Sequence, residues 1–218
     1  MANTTISTQN QPINQMNFQA TAGFDEETAR SELYGLLAGV LYACPAIELI
    51  AEIRASATET PSAGAFLEEP WRNFVGVARS MSDQAIRDEY NALFGGVGKP
   101  EVYLYGSHYL SGFLNEKPLA RLRTELNSLG LERSDEMSDT EDHFAYLCEV
   151  MRYLIAGDDV AVANLTRQRE FFSTHIQPWV NTMCDDIQNN SKANFYASLA
   201  ELTRAFMGIE SQGFDMLI

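Results

Sequence analysis

A chain of 218 residues that is 45% hydrophobic, with 12 Phe, 9 Tyr and 8 Met, carries enough apolar mass for a sizeable core and is not a disordered chain. Its 30 acidic residues against 15 basic leave a formal charge of -15. That balance argues against binding a nucleic-acid backbone or an anionic membrane surface, both of which need Lys and Arg, and it favours cationic partners through steering, although acidity also serves solubility alone.

Three cysteines, Cys44, Cys148 and Cys184, stand far apart. The number is odd and no pair has metal or redox spacing, which points to a reducing compartment and a cytoplasmic protein. Residues 1–20 are rich in Asn, Gln and Thr, with no basic region followed by an apolar one, so they do not read as a signal peptide. They are expected to form a disordered polar tail over residues 1–22, ahead of one globular domain over 23–218. The longest apolar run, Gly35 to Ala46, is too short and too broken for stable membrane insertion.

In chain order, a helix is expected from Asp25, with Leu33, Leu36, Leu37, Val40 and Leu41 inward and Cys44-Pro45 ending it. A short second helix reaches about Ser56, and Thr58 to Gly64 is a loop. Phe66, Trp71, Phe74 and Val75 suit a helix towards Arg79. Ser82-Asp83 opens the next, with Ile86, Tyr90, Leu93 and Phe94 on its face. Gly95 to Pro100, three glycines and a proline in six residues, stops it. Glu101 to Ser111 reads as aromatic and irregular. Asn115 and Pro118 start a helix that ends at Gly130.

A polar loop, Glu132 to Met137, leads into the next helix. Ser138 with Glu141 has the form of a capping box, which would place Asp142 and His143 in that helix's first turn. Phe144, Leu147, Cys148, Met151, Leu154 and Ile155 then recur as one helical stripe, and Gly157 closes it. Asp158-Asp159 opens a helix reaching Phe171-Phe172. Pro178 starts another, carried by Trp179, Met183 and Ile187. Ser191 to Met207 is the last. The fold class is therefore all-α, a single globular bundle of about nine or ten helices, with the 132–137 loop as the one hinge at which two sub-bundles would join.

Several residues carry chemistry. Asp142 and His143, an acid and an imidazole at a helix mouth in an acidic chain, suit a cationic group; the plainer reading is an acid meeting the helix dipole beside a core-edge histidine. With Glu141 nearby, the carboxylates suit Arg, whose planar fork donates two parallel hydrogen bonds. The rings of Tyr103, Tyr105 and Tyr109, around Ser107 and His108, have the composition of a peptide-binding wall or of a plug between helices. Gly98-Lys99 is not a phosphate loop: position 93 is Leu where glycine is required, and position 100 is Pro where Ser or Thr is required. With three histidines and no His-x-x-x-His pair, no metal site is expected. No Gly-x-Ser-x-Gly elbow is present, and adjacent Asp142 and His143 on a helix would point about 100° apart, which spoils a triad with Ser107. No catalytic residue is assigned.

These pieces together resemble the TorD family of cytoplasmic chaperones for molybdenum-containing redox enzymes, which includes the DmsD- and NarJ-type proteins. Glu89-Tyr90-Asn91-Ala92-Leu93-Phe94 with Gly95, Gly98 and Pro100 looks like the family's glutamate–aromatic–Leu-Phe segment. Tyr105-Gly106-Ser107-His108-Tyr109, Glu141-Asp142-His143, and His175 with Pro178-Trp179 follow in family order. The likeness runs from about Ser31 to Glu210. One departure is Thr140, where the family usually has proline before Glu-Asp-His.

The resemblance implies a maturation chaperone rather than an enzyme. It would bind the twin-arginine signal peptide, and the body, of an apo molybdopterin-containing oxidoreductase, and hold it back from export until cofactor is inserted. Glu141 and Asp142 would meet the arginines. Leu93, Phe94, Tyr105 and Tyr109 would line the groove, and Ser107 and His143 would bond peptide backbone. No cofactor of its own is expected, and the chain would be a monomer or homodimer. The alternatives are a nucleotide-binding or nucleotide-hydrolysing all-α protein, and a purely scaffolding helical dimer. The sequence does not choose among trimethylamine N-oxide, dimethyl sulfoxide, nitrate and formate enzymes as the client.

Overall fold

Ser82 has extended backbone and its hydroxyl accepts from the Ala85 N–H, so the fourth helix starts where a Ser-Asp pair says it should. The computed structural model describes residues 26–58, 67–95, 99–114, 116–134 and 137–216. Among them are ten helices: α1 (Glu26–Tyr42), α2 (Ile47–Ala55), α3 (Glu68–Ser80), α4 (Asp83–Leu93), α5 (Gly106–Ser111), α6 (Lys117–Ser128), α7 (Phe144–Ala156), α8 (Leu165–His175), α9 (Gln177–Gln188) and α10 (Phe195–Asp215). No strand occurs among the described residues; the one β-like feature there is an isolated antiparallel bridge between Tyr105 and His143. The expected tail at 1–22 and all but the first residue of the Thr58–Gly64 loop lie outside the described residues, as do Phe66, Gly98 and Asn115.

The all-α expectation holds, and so do the starts and stops marked by Cys44-Pro45, Ser82-Asp83, Pro118, Gly157 and Pro178. Four boundaries differ. The aromatic segment is not wholly irregular: residues from Gly106 form a short helix, closed by Gly112 at φ 80°, a left-handed position that glycine takes without strain. The Ser138–Glu141 pair is no capping box. The seventh helix starts at Phe144 with His143 as its N-cap, while Ser138 Oγ bonds Asp139 and Glu141 bonds Arg123. Asp142 and His143 thus precede the helix instead of occupying its first turn. Asp158-Asp159 opens only a turn, because Asn164 supplies the cap, its Oδ1 accepting from Arg167 N–H. The last helix begins at Phe195 and runs on to Asp215.

α7 packs along α1 and against α8; α9 joins α8 to α10; α10 lies on α3 and α4, and α5 on α6 and α9. The stripes meet in one cluster, in which Leu37, Val40, Leu147, Met151, Trp179 and Phe206 are all buried. Two buried carboxylates lock the frame. Glu210 on α10 takes both Arg30 nitrogens at 2.6 and 2.8 Å and the Tyr34 hydroxyl at 2.9 Å, tying α10 to α1. Glu89 on α4 accepts from the backbone N–H groups of Asn194 and Tyr196, both at 2.8 Å, and of Phe195 at 3.1 Å. Asn194 makes no side-chain cap of its own, so Glu89 caps α10 from another helix, where its charge also meets the positive end of the dipole.

Removing that acceptor leaves three backbone donors without it, two of them on the buried residues Phe195 and Tyr196. Glu89→Ala should lower stability by about 3 kcal/mol in urea denaturation, with Glu89→Gln losing less because one acceptor oxygen remains. A loss below about 1 kcal/mol for the alanine variant would contradict the assignment.

Candidate functional site

Residues 104–107 and 140–144 run alongside each other, and that pairing builds the site. Gly106 N–H donates to Asp142 O at 2.9 Å, and Phe144 N–H donates to Leu104 O at 2.7 Å. The Asp142 side chain, 3% exposed, accepts from Ser107 N–H at 2.8 Å through Oδ2 and from the Thr140 hydroxyl at 2.6 Å through Oδ1. It therefore caps α5 across 35 residues of sequence. Gly106 lets α5 approach closely: a Cβ at this position would stand 3.1 Å from the Trp179 indole nitrogen, so a side chain here would require the indole to shift by a few tenths of an ångström.

His143 is also buried, at 4% exposure, and its Nδ1 accepts from Ala145 N–H at 3.2 Å. Burial pushes its imidazole down to about 4, against the upward pull of Asp139 and Asp142. The neutral ring keeps Nδ1 available as an acceptor for the α7 start.

The structure brings Tyr105, Ser107, Asp142 and His143 into one cluster. Tyr105 meets His143 edge-on at 5.0 Å, and its hydroxyl donates to Asp139. Ser107 is buried, and its Oγ has no hydrogen-bond partner. Tyr109 lies apart from this cluster, stacked on Trp179 at 5.4 Å with its hydroxyl towards Tyr103 O and Asp186. Leu93 is fully buried, and Phe94 packs edge-on against Tyr196 at 5.0 Å. His175, from the fourth motif, sits 2.6 Å from Glu125, and its carbonyl accepts from the Trp179 indole N–H. Most of the motif side chains are thus interior or half-buried groups, and they do not form one shared open groove.

Glu141 faces another way. It lines a cavity of about 500 Å³ between α1, α6, α7 and the residues Leu131, Glu132, Arg133 and Met137. Small residues, Ala38 and Gly39 on α1 and Ala145 on α7, line the hollow. Tyr42, Val150 and Tyr153 give it apolar walls, with Tyr42 and Tyr153 about 40% exposed. A line of rings links it to the motif cluster: Tyr105 to His143, His143 to Tyr146 at 5.6 Å, and Tyr146 to Tyr42 at 5.4 Å. The Glu141 carboxylate receives Nε and Nη2 of Arg123 at 3.0 and 2.9 Å. Burial alone would raise its carboxyl, but the Arg123 bonds, its own backbone N–H and the charges of Arg123 and Arg133 together outweigh burial and hold it below the ordinary range. Sequence reasoning picked Glu141 but not Arg123, Tyr42 or Tyr153. Among the described residues, no group of three His, Cys, Asp or Glu is placed to hold a metal, and no helix is long and apolar enough to cross a membrane.

Comparison with known proteins places these features in context. The family model described as "Nitrate reductase delta subunit" matches residues 61–185. Chaperone protein TorD of Vibrio cholerae serotype O1 is 26% identical over 121 residues, 52% of this chain and 55% of that one. Chaperone protein TorD of Vibrio parahaemolyticus is 22% identical over 115 residues, 49% and 54% of the two chains. The chain thus spans about half the length of the curated relatives it matches. A crystal structure of a candidate redox enzyme maturation protein from Archaeoglobus fulgidus shares the fold, with a TM-score of 0.57 at 18% identity over 91% of this chain and 99% of that one.

The buried cap gives a pH signature. The unfolded ring takes up a proton near 6.5 and the folded ring resists until about 4, so this contribution is complete above 6.5 and is lost as pH falls through that window. It amounts to roughly 3 kcal/mol. Denaturant titrations from about pH 7.5 to 4 should show falling stability, with a slope about one proton shallower in His143→Asn, which keeps a capping acceptor that does not titrate. Identical slopes in the two proteins would rule the imidazole out.

Proposed function

Because the chain belongs to the nitrate reductase delta subunit family, the TorD/NarJ group, we propose that it is a maturation chaperone. It holds the apo form of a molybdopterin-containing oxidoreductase through that client's twin-arginine signal peptide until cofactor insertion is complete. It is a holding protein and not an enzyme. The observation that carries this reading is the apolar cavity with Glu141 at its edge, on a chain of charge -15. A twin-arginine peptide presents two guanidinium groups with an apolar stretch behind them. Its receptor needs a carboxylate beside an apolar hollow, and a cavity of this size falls in the range of ligand sites.

The candidate residues fall into two roles. Glu141 is the acid that meets an arginine, and the neighbouring cavity takes the apolar stretch. Asp142, His143, Tyr105 and Ser107 hold the backbone beside Glu141 in place, while Leu93, Phe94 and Tyr109 pack elsewhere, Phe94 on Tyr196 and Tyr109 on Trp179. Asp142→Ala is then expected to destabilise the fold, because its carboxylate caps α5. Glu132 and Glu149 also line the cavity, as does one cation, Arg133, and Glu149 is paired with Arg152 at 3.0 Å.

Calorimetry with a synthetic signal peptide tests the reading. A peptide carrying the arginine pair should bind, and replacing both arginines by glutamine should weaken binding by about tenfold or more, with affinity falling as salt rises. Absence of binding, or equal affinity for the two peptides, would overturn it.

A further inference from the structure

The Glu141 carboxylate is already occupied. Arg123, on α6, grips it with two parallel hydrogen bonds in the geometry an incoming arginine would adopt. The two partners are unequally buried: the Glu141 side chain is 11% exposed and the Arg123 side chain 50%. A half-exposed guanidinium bound to a sheltered carboxylate contributes little to folding and is held by one set of contacts. It is an exchangeable occupant on a fixed acceptor. One turn further along α6, Leu126 lines the same cavity, so the displaced arginine and the apolar hollow lie on one helix face.

We infer that Arg123 is an intramolecular competitor for the client's arginine, and that the peptide docks by replacing the Arg123 guanidinium on Glu141 while its apolar segment enters the hollow walled by Tyr42, Val150 and Tyr153. This rests on the signal-peptide reading above and adds the location and its regulation. The exchange makes and breaks no covalent bond. It trades one bidentate arginine–carboxylate contact for another, so the client's arginine offsets the Arg123 contact that docking breaks, and the apolar stretch behind it supplies the net gain. A cationic peptide without an apolar stretch gains nothing over Arg123. A peptide that also fills the hollow gains the buried area. Resting occupancy by Arg123 lowers apparent affinity by the fraction of molecules whose Glu141 is vacant.

Peptide binding to four purified full-length proteins, with circular dichroism to check their folds, tests the exchange. Arg123→Gln should bind the arginine-pair peptide about threefold to tenfold more tightly than wild type. Arg121→Gln removes the same charge from the same helix but about 200° around it, and should stay within about twofold of wild type. Tyr153→Ser, which strips one wall of the hollow, should weaken binding of that peptide, and a short Arg-Arg peptide without an apolar tail should bind neither this variant nor wild type measurably. If wild type binds and Arg123→Gln is unchanged or weaker, the exchange is wrong while the chaperone reading stands. Equal tightening in Arg123→Gln and Arg121→Gln would reduce the effect to net charge and also overturn it. Loss of binding by wild type itself would remove both.

Discussion

One buried carboxylate, that of Asp142, governs how the helices around the cavity are set. It caps α5 through Ser107 N–H, while its backbone oxygen takes Gly106 N–H, so the short helix and the strand-like run before α7 are fixed to each other. The next residue, His143, caps α7 with a ring that burial keeps neutral. α7 packs along α1, and the hollow opens between these two helices and α6. An acid whose charge is met by a helix start and a hydroxyl stabilises the frame; it is not available to a ligand without dismantling what it supports.

That division explains the motif Glu141-Asp142-His143 physically. Three adjacent polar residues face three ways. Asp142 and His143 turn inward to two helix starts, and Glu141 turns to the cavity and to Arg123. Glu89 on α4 repeats the inward use, capping α10. The buried acids of the motifs, Glu89 and Asp142, are long-range caps, and the surface chemistry belongs to Glu141.

The helices that were legible in the sequence are those defined by local physics: apolar periodicity between breakers marks α1 to α4, α6 and α9. What was not legible depends on distant partners. Ser138 and Glu141 match a capping box in spacing, yet Asp142 and Phe144 pair across to residues 104–106, and that non-local pairing delays the helix to Phe144. Six residues of α5 are too few to show a helical period. The run of α10 past Met207 depends on Glu210, which reads as a solvent-facing acid until Arg30 and Tyr34 arrive from 180 and 176 residues away. At the site, the carboxylate at Glu141 was visible because its neighbours form a recognisable segment. Arg123 was not, since a single arginine on a helix carries no mark of a partner 18 positions on.

The functional reading stands or falls on a client arginine seated on Glu141 and not on the buried Asp142. A double-mutant cycle probes this without intermediate assumptions, pairing Glu141→Gln with arginine-to-glutamine changes in the peptide and reading affinities by calorimetry. A coupling of about 1 kcal/mol or more is expected between Glu141 and one of the two arginines. Additive losses, with the peptide arginines equally important whether position 141 is Glu or Gln, would contradict it.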